Sequence, residues 1–401
     1  MKKISLILSS LLLLSACGSD SSTPHPASDL KVSDIATSPS NDLWIAVNNP
    51  ENPRVAIIDP ADNSIKSDEI KLDLPPNEIG FFKNNINEDI YAIQQIASDY
   101  GSSQITIGNP ATLTKIISNA LSSSKSDFII DSYKQSLYQI GRFELDSIEK
   151  LKVDDSSLES EWNYSANNSG EENSANTYGI VHRNDRHAYL IRYNRDTLDE
   201  IDVEAENGNN FFTGISIDLS AYTVEGASSP NPVDAVVLNN TLYILMQRQN
   251  QSFTAQTAYL AVFDISDPLS PVEEDTNSSQ NGLKGIPLNN KNPSALDVLG
   301  NQIFVANRGD FSTNQGGLDV VNTTNGSVTT IIDGNTFPDL NTTNSESGNA
   351  QLYHITDVSI VDQNTAYAIL NIEEGYDTLR SEIVRFNPTT LNVESLVDLS
   401  K

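Results

Sequence analysis

Cysteine and histidine are scarce in this sequence, which has one cysteine and four histidines among 401 residues. A single cysteine excludes a disulfide within the chain, so the stability must come from a hydrophobic core. Metal sites combine several cysteine, histidine or carboxylate ligands. His182 and His187 are close enough to face each other across a hairpin, but two histidines fall short of a normal ligand set. The sequence therefore predicts no resident metal and no cofactor, and leaves weak calcium binding open.

Basic residues are also few. Lysine and arginine number 24 against 54 aspartates and glutamates, which gives a formal net charge of −30. Proteins bind nucleic acids largely by placing basic side chains against phosphates, so this charge excludes nucleic acid as a partner. An acidic surface favours solubility and attracts cations, but it does not specify a partner.

Convincing helical patterns are missing after the N-terminus, and apolar residues cluster in runs of about five to eight. Runs of that length, rich in β-branched and aromatic residues, indicate β-strands. A composition that is 38% hydrophobic and 19% charged supplies enough apolar material for a core. The sequence therefore predicts an all-β domain.

A stretch of 26 residues occurs twice. Phe128–Val153 and Tyr178–Val203 align without a gap at an offset of 50 positions, and a weaker third copy lies at 383–391. A period near 50 residues, built from strand pairs and polar turns, is typical of β-propeller blades, which must stack on neighbours to bury their faces. We therefore expect a β-propeller of seven blades over residues 30–401, with six or eight blades as alternatives.

Arginines recur within the repeat. Arg142, Arg192 and Arg385 each precede an aromatic residue, which predicts a structural contact between blades, with Asp146 and Asp196 as ion-pair partners. Between the two long copies, Trp162–Ser165 predicts an additional strand for blade 4, and blade 3 is expected to be the thin one.

Polar residues mark the expected ends of several strands. An aspartate or asparagine there, in some cases followed by proline, favours an Asx-type turn. The positions are Asp59, Asn109, Asp264, Asn322 and Asn387.

The N-terminus carries the most specific motif. Two lysines precede an apolar stretch, Ile4–Leu14, that is too short to span a bilayer, and Leu14-Ser15-Ala16-Cys17 follows. This motif resembles the lipobox of bacterial lipoproteins, which implies cleavage before Cys17 and attachment of diacylglycerol and palmitate to it. Two or three acyl chains anchor a protein almost permanently. Gly18 after the cysteine resembles the sorting pattern of outer-membrane lipoproteins.

These features predict three segments. Residues 1–16 are expected to form the signal peptide, and residues 17–29, rich in serine and proline, the lipidated cysteine and a flexible tether. The propeller domain follows at 30–401. We expect it to be held on the outer membrane, facing either the periplasm or the cell surface.

The strand pairs carry a resemblance. Gln302–Asn307 and Gly317–Asn322 are similar to the paired strands of the lactonase-like, seven-bladed propeller superfamily, and the similarity covers most of residues 30–401. It implies the fold and says little about activity. More narrowly, Trp162–Ser165, Ala188–Tyr193 and Ile217–Tyr222 resemble segments of envelope lipoproteins for which no biochemical role is established.

The loops between second and third strands are expected to surround the mouth of the central channel. They are predicted at 48–53, 94–102, 247–257, 307–316 and 371–380, and are rich in side chains that bind polar ligands. The candidate ligand-binding residues are Gln94, Tyr100, Gln247, Arg248, Asn307, Arg308, Asp310, Glu373 and Tyr376.

Catalytic patterns are absent from the sequence. There is no Gly-x-Ser-x-Gly elbow, no phosphate-binding glycine loop and no cysteine apart from Cys17. A lactonase would need histidine and carboxylate together at the mouth, where only His354 is expected. We therefore predict no catalytic residue and no enzyme activity.

Three functions remain compatible with this sequence. The first is a lipid-anchored binding protein that captures a small molecule for an outer-membrane transporter. The second is a scaffold for protein partners in envelope assembly, and the third is a hydrolase of lactones or esters.

Overall fold

The computed structural model describes residues 30–67, 69–154, 157–276, 282–310, 316–345, 347–375 and 377–397. Cys17, with the predicted signal peptide and tether, lies outside these ranges, and so does Tyr376. Within them, the strands form seven separate antiparallel sheets. Three short 3-10 helices span Gly208–Asn210, Ser220–Tyr222 and Pro338–Leu340. No helix among the described residues is both long and apolar enough to cross a membrane.

The first three sheets form blades 1 to 3. Blade 1 contains β1 (Val32–Thr37), β2 (Leu43–Val47), β3 (Arg54–Asp59), β4 (Ser64–Ile65) and β5 (Ile70–Lys71). Blade 2 contains β6 (Pro76–Lys83), β7 (Asp89–Ile96), β8 (Ser103–Asn109) and β9 (Thr114–Ser123). Blade 3 contains β10 (Phe128–Tyr133), β11 (Ser136–Gly141), β12 (Ser147–Asp154) and β13 (Ser157–Ser165).

The remaining sheets form blades 4 to 7. Blade 4 contains β14 (Thr177–His182), β15 (His187–Arg192), β16 (Thr197–Asp202) and β17 (Phe212–Asp218). Blade 5 contains β18 (Pro232–Leu238), β19 (Thr241–Met246), β20 (Tyr259–Asp264), β21 (Val272–Glu273) and β22 (Ile286–Pro287). Blade 6 contains β23 (Pro293–Leu299), β24 (Gln302–Asn307), β25 (Gly317–Asn322) and β26 (Ser327–Asp333). Blade 7 contains β27 (Thr342–Thr343), β28 (Ala350–Ile360), β29 (Ala366–Glu374), β30 (Asp377–Asn387) and β31 (Asn392–Leu396).

The seven sheets close into a ring around a central channel. The innermost strands β1, β6, β10, β14, β18, β23 and β28 contact one another in that order, and β28 returns to β1. The predicted all-β, seven-bladed propeller is therefore confirmed.

The middle strands of each blade are apolar because neighbouring sheets stack on both of their faces. Every residue of β2 is buried, whereas the outer strand β9 has no fully buried residue. Trp44 of blade 1 shows how blades pack, since its ring lies 5.0 Å from that of Phe81 and 5.3 Å from that of Tyr91 in blade 2. The core thus lies between the blades.

No sheet combines strands from both ends of the described chain, so the ring is closed by packing, by side-chain hydrogen bonds and by a backbone bond from Ser381 N to the Leu30 carbonyl at 2.6 Å. The backbone N–H of Val32 donates to Ser381 Oγ at 2.9 Å, and the Tyr367 hydroxyl donates to Asn63 Oδ1 at 2.8 Å. Val32 and Tyr367 also share one buried apolar cluster. Blades 1 and 7 are therefore joined without a common strand.

The Asx turns form as predicted. In each case the side-chain oxygen accepts a backbone N–H two residues later, at 2.8–3.0 Å, where the third strand of the blade ends. The acceptors are Asp59, Asn109, Asp264, Asn322 and Asn387.

The strand at Trp162–Ser165 was assigned to the wrong blade. It is the end of β13, the outer strand of blade 3, which is a full four-stranded sheet. Its side chains nevertheless contact blade 4, because Trp162 Nε1 donates to the carbonyl of Val203 at 3.0 Å and the Tyr164 hydroxyl to that of Ala205 at 3.1 Å. Contacts to blade 4 are thus made by packing and not by strand pairing.

The repeated arginines do not occupy one structural position. Arg142 and Arg192 lie at the ends of second strands, but Arg385 lies inside β30, the third full-length strand of its blade. Among the described residues, the ion-pair partners also differ from the prediction. Arg192 pairs with Asp199 and Glu171, and Arg142 pairs with Asp127 at 2.6 Å. The predicted stacking between blades does occur at Arg142, whose guanidinium lies 5.3 Å from the ring of Tyr178 in blade 4.

Candidate functional site

One end of the ring, here called the upper face, is where the innermost strands begin and the second strands end. The connections between second and third strands also lie there, because the strands are antiparallel. The connections of blades 2, 6 and 7 are shorter than the sequence predicted, whereas those of blades 1 and 5 are as long as predicted. Gln94 belongs to β7, Asn307 to β24, and residues 371–374 to β29. These polar side chains lie at the ends of buried strands, where the sequence predicts loops.

A cleft of about 690 Å³ opens on the upper face between blades 7, 1 and 2. Its walls are formed where β1 and β6 begin and where the second strands of these blades end. The residues that line the cleft include Lys31, Asn48, Pro50, Asn77, Tyr100 and Asp377. The volume lies within the range of small-molecule sites, about 300–1,000 Å³.

The cleft adjoins the cavity of the central channel, since Ser33 and Asn77 line both spaces. The channel cavity has a volume of about 520 Å³ and is lined by residues of the innermost strands, together with Arg142 and Tyr178. The second large cleft of the upper face, about 680 Å³ beside Phe143 and Arg195, is lined by no residue of an innermost strand. The cleft of blades 7, 1 and 2 is therefore the stronger candidate site, and it is called the upper cleft below.

Carboxylates link the innermost strands of neighbouring blades. At six of the seven blade interfaces, a carboxylate on one innermost strand accepts a backbone N–H from the innermost strand of the next blade, at 2.7–3.1 Å. The pairs are Asp34 with Ile79, Glu78 with Ile130, Asp131 with Ile180, Asp234 with Leu296, Asp297 with Ile360, and Asp357 with Ile35.

These bonds have a simple physical cause. Apart from the start of β28, which pairs with β27, the innermost strands have no further strand beside them on the channel side. Their outward N–H groups therefore lack ladder partners, and an unpaired buried N–H is costly. The surrounding protein in turn raises the pKa of the carboxyls, to about 8 for Glu78, about 7 for Asp234, and about 6 for Asp131 and Asp297. Burial also raises the pKa of Asp34 and Asp357, which lie beside each other.

The interface between blades 4 and 5 lacks such a carboxylate. Gly179 lies on the innermost strand there, and a Cβ at this position would lie 3.7 Å from Asp131 Oδ2. The two blades are joined further out, where the Tyr193 hydroxyl contacts Gln247 Oε1 at 3.0 Å and Gln249 Oε1 at 3.1 Å. The ring of carboxylates is therefore open at one place.

Sequence reasoning missed this ring. A usable signal was present, because an acidic residue followed by an aliphatic one recurs in first strands, as in Asp34-Ile35, Glu78-Ile79 and Asp357-Val358.

Of the predicted ligand-binding residues, Tyr100 lines the upper cleft, and its side chain is prominent there, with 69% of the residue exposed. Gln94 and Asn307 are fully buried. Gln94 accepts from Gln139 Nε2 of blade 3 at 3.2 Å, and Asn307 Nδ2 donates to the carbonyl of Val305 at 2.9 Å. Blade packing covers both side chains, and neither lines the upper cleft.

Arg248 and Gln247 also have structural contacts. Arg248 Nε donates to the carbonyl of Tyr222 at 2.7 Å and its Nη1 to that of Thr257 at 2.8 Å, and the guanidinium lies 4.8 Å from the ring of Tyr259. Burial lowers the pKa of Arg248. Gln247 Nε2 donates to the carbonyl of Pro293 in blade 6 at 2.8 Å. Both side chains hold blade 5 in place, and neither lines the upper cleft or the channel cavity.

The structure brings Arg308, Glu373 and His354 together between blades 6 and 7. Arg308 Nη2 donates to both oxygens of Glu373, at 2.8 and 3.0 Å, and the Glu373 side chain is 1% exposed. His354 Nδ1 contacts the carbonyl oxygen of Arg308, and burial lowers the pKa of the imidazole. Asp310 lies near this group and is half-buried. None of these four residues lines the upper cleft or the channel cavity.

The histidine pair does not form a metal site. His182 is opposite Ala188 in the β14–β15 pair, and its ring stacks on that of Tyr133 at 3.9 Å. Burial lowers the pKa of His182 to about 4. Within the described part of the chain, no group of three or more histidine, cysteine or acidic side chains is arranged to hold a metal ion.

Comparison with known proteins gives a likeness of fold. No protein-family model and no curated protein matches the sequence. A chain of hydrazine synthase from Kuenenia stuttgartiensis is 11% identical, covers 92% of this chain and 99% of its own, and superposes with a TM-score of 0.53. A chain of a mitotic checkpoint complex is 9% identical over 89% of this chain and 94% of its own, with a TM-score of 0.51.

A chain from Bacteroides uniformis, whose assignment as a 6-phosphogluconolactonase is itself provisional, is 12% identical over 78% of this chain and 85% of its own. Its TM-score is 0.49. At identities this low, these likenesses extend to the fold and not to the activity. What the structure and the comparisons establish is that the chain is a seven-bladed β-propeller.

Proposed function

We propose that this protein is a lipid-anchored binding protein of the cell envelope that captures a small molecule in the upper cleft and presents it to an outer-membrane transporter. The observation that carries the proposal is a cleft of about 690 Å³ that adjoins the central channel, at the end of the ring where the loops of three blades meet. Concave sites of this size are typical of small-molecule binding.

The chemistry of the cleft supports binding without catalysis. Asp377 is the one carboxylate among its lining residues, and the lining contains no histidine or cysteine. The adjoining channel cavity is lined by five carboxylates, each of which accepts a backbone N–H of the next blade: Asp34, Glu78, Asp131, Asp234 and Asp357. General acid–base catalysis needs a positioned proton acceptor within reach of substrate. His354, the predicted base of a lactonase, is 2% exposed and does not line the cleft. The arrangement therefore favours capture over turnover.

The position of the cleft fits a membrane anchor at Cys17. Cys17 precedes Leu30 by 13 residues, which span at most about 45 Å when fully extended. Lys31 and Val32 line the cleft, so a tether from the membrane would reach the propeller beside it. A ligand held there would lie close to a transporter in the same membrane.

The proposal is tested with the full-length lipidated protein in detergent. Calorimetry and thermal shift are measured with cobalamins, haems, siderophores and glycans, and tagged protein is cross-linked in its host to identify copurified partners. Binding that is lost in Tyr100→Ala and kept in Phe253→Ala supports the proposal. Phe253 is a matched control, being an exposed aromatic with a left-handed backbone in the corresponding loop of blade 5. No binding to any compound, or recovery of assembly proteins without a transporter, would overturn it.

A further inference from the structure

We infer that the ligand of the upper cleft is an uncharged carbohydrate. This inference rests on the proposed function and names the chemical class of the ligand. It comes from three properties of the cleft, namely its charge, its free hydrogen-bonding groups and its exposed aromatic ring.

The cleft has almost no charge in a protein of net charge −30. Its 16 lining residues include one lysine, Lys31, and one aspartate, Asp377. Anionic ligands are usually held by several arginines or lysines, and the field of the whole protein repels them. A cationic ligand would meet one carboxylate and one ammonium. The lining therefore matches a neutral molecule.

Amide and hydroxyl groups in the cleft are available to such a molecule. Asn48, Asn77 and Ser98 line it, and none of their side chains makes a hydrogen bond within the described part of the chain. An asparagine amide and a serine hydroxyl each offer a donor and an acceptor. A sugar hydroxyl also donates and accepts, so these groups are matched to it without any charge.

Tyr100 provides a surface for stacking. Its loop is fixed by two hydrogen bonds. Tyr100 N donates to the Ala97 carbonyl at 2.8 Å, and Gly101 N donates to the Asp99 side-chain oxygen Oδ1 at 2.9 Å. The hydroxyl of Ser126 donates to the Tyr100 carbonyl at 2.7 Å. Tyr100 is 69% exposed, and exposure of a large aromatic ring to water is unfavourable in the free protein. The C–H face of a sugar could stack on the ring and cover it.

Prolines complete the apolar part of the walls. Pro50, Pro75 and Pro76 line the cleft, where Pro50 is an exposed rigid ring and Pro75 and Pro76 are buried in the wall. The combination of rigid apolar faces with neutral hydrogen-bonding groups suits a ring that has one C–H face and a rim of hydroxyls. A volume of about 690 Å³ has room for more than one such ring.

The experiment is calorimetry on the full-length lipidated protein with neutral gluco-, manno-, galacto- and xylo-oligosaccharides of two to four rings. Uronic-acid and amino-sugar oligosaccharides are the charged comparison, together with the cobalamins, haems and siderophores. We expect a neutral oligosaccharide to bind, with a dissociation constant that changes less than twofold between 50 and 500 mM NaCl, because charge screening does not affect it. Tyr100→Ala should weaken binding by about tenfold or more, since loss of stacking and apolar contact removes roughly 1.4 kcal/mol.

Two further variants sharpen the result. Tyr100→Phe keeps the ring and should bind within about threefold of the unsubstituted protein. Phe253→Ala should leave the dissociation constant unchanged. Binding of a charged ligand in a Tyr100-dependent manner, with no neutral oligosaccharide bound, would overturn the carbohydrate inference and leave the proposed function standing. Absence of binding to any compound would overturn both, and carbohydrate binding that Tyr100→Ala does not weaken would place the site elsewhere.

Discussion

Asp234 in blade 5 accepts a hydrogen bond of 3.0 Å from the backbone N–H of Leu296 in blade 6. The two residues are 62 positions apart, and the same kind of bond recurs at five other interfaces. The innermost layer of the ring is thus joined by carboxylates whose ionisation the fold disfavours. This makes the stability of the propeller depend on pH.

We predict that stability falls as pH rises from 6.5 to 8.5. Glu78 and Asp234 have folded pKa values of about 8 and about 7, above the usual 4.5 and 3.8. In this window the folded protein therefore holds protons that the unfolded chain has released, and raising the pH favours unfolding. Below pH 6.5 the lowered pKa values of His182 and His354 act in the opposite sense. The melting temperature should fall by about 2–4 °C across the window.

Glu78→Gln should flatten that dependence. A glutamine oxygen can still accept the N–H of Ile130, but it carries no charge and no titrating proton. Melting curves of the variant should be less sensitive to pH than those of the unsubstituted protein, and above pH 8 the variant should be at least as stable. Glu51→Gln, at an exposed loop position, is the control. Equal slopes for Glu78→Gln and the unsubstituted protein would show that Glu78 does not titrate in this range.

The second stability prediction concerns Arg192. Its side chain is fully buried and pairs with Asp199 and, at 2.7 Å, with Glu171. Arg192→Met would leave Asp199 buried without its cation, and we expect a loss of about 3–5 kcal/mol in unfolding free energy. Denaturant unfolding measures it. Adding Asp199→Asn should recover much of the loss, and Arg54→Met, which breaks the partly exposed pair with Glu69, should have a much smaller effect. A fully stable Arg192→Met protein would contradict this account.

Arg248→Ala separates structure from binding. The variant loses the two hydrogen bonds to the carbonyls of Tyr222 and Thr257 and the contact with Tyr259, so we expect a loss of about 1–3 kcal/mol in stability. Ligand affinity at a temperature well below the transition should be unchanged, because Arg248 does not line the cleft. Loss of affinity with an unchanged melting temperature would show that Arg248 takes part in ligand binding.

The orientation of the propeller on a membrane is also open to measurement. If Cys17 is lipidated, a cysteine introduced elsewhere is the one free thiol of the protein. Tyr100→Cys lies on the upper face, and Ile86→Cys lies at the opposite end of β7 with similar exposure, 69% and 61% in the native residues. A fluorophore at position 100 should transfer energy to labelled lipid in vesicles more efficiently than one at position 86. Equal transfer, or stronger transfer from 86, would contradict an upper face turned to the membrane, and Cys17→Ser should abolish vesicle binding.

Much of the fold could be predicted because it follows from local patterns. Leu43–Val47 is a short apolar run, and a run buried on both faces by stacked sheets appears in the sequence as continuous hydrophobicity. Asp59 and Asn387 marked strand ends because the Asx turn is made within a few residues. Tyr100 lies in an exposed connection between strands, as expected of an aromatic between polar turn residues, and its role in ligand binding stays a prediction.

Two of the candidate ligand-binding residues are buried for one physical reason. Gln94 and Asn307 are polar residues at the ends of apolar strands, and in the sequence they look like the start of a loop. They are buried because a neighbouring blade covers them, and Gln139 meets Gln94 across 45 positions of chain. Whether such a residue faces solvent or a second sheet is decided by how the blades stack.

By itself the sequence determined the all-β class, the blade period and the positions of most strands, because strand formation and turn chemistry depend on residues a few positions apart. Only the tertiary structure decided the carboxylate ring, the closure between blades 1 and 7, and the joining of residues from blades 7, 1 and 2 into one cleft with few charged side chains. Asp357 meets Ile35 across 322 positions, and Asp377 lines the same cleft as Lys31. Such contacts exist only when seven sheets have closed into a ring, since no local pattern fixes which distant strands become neighbours.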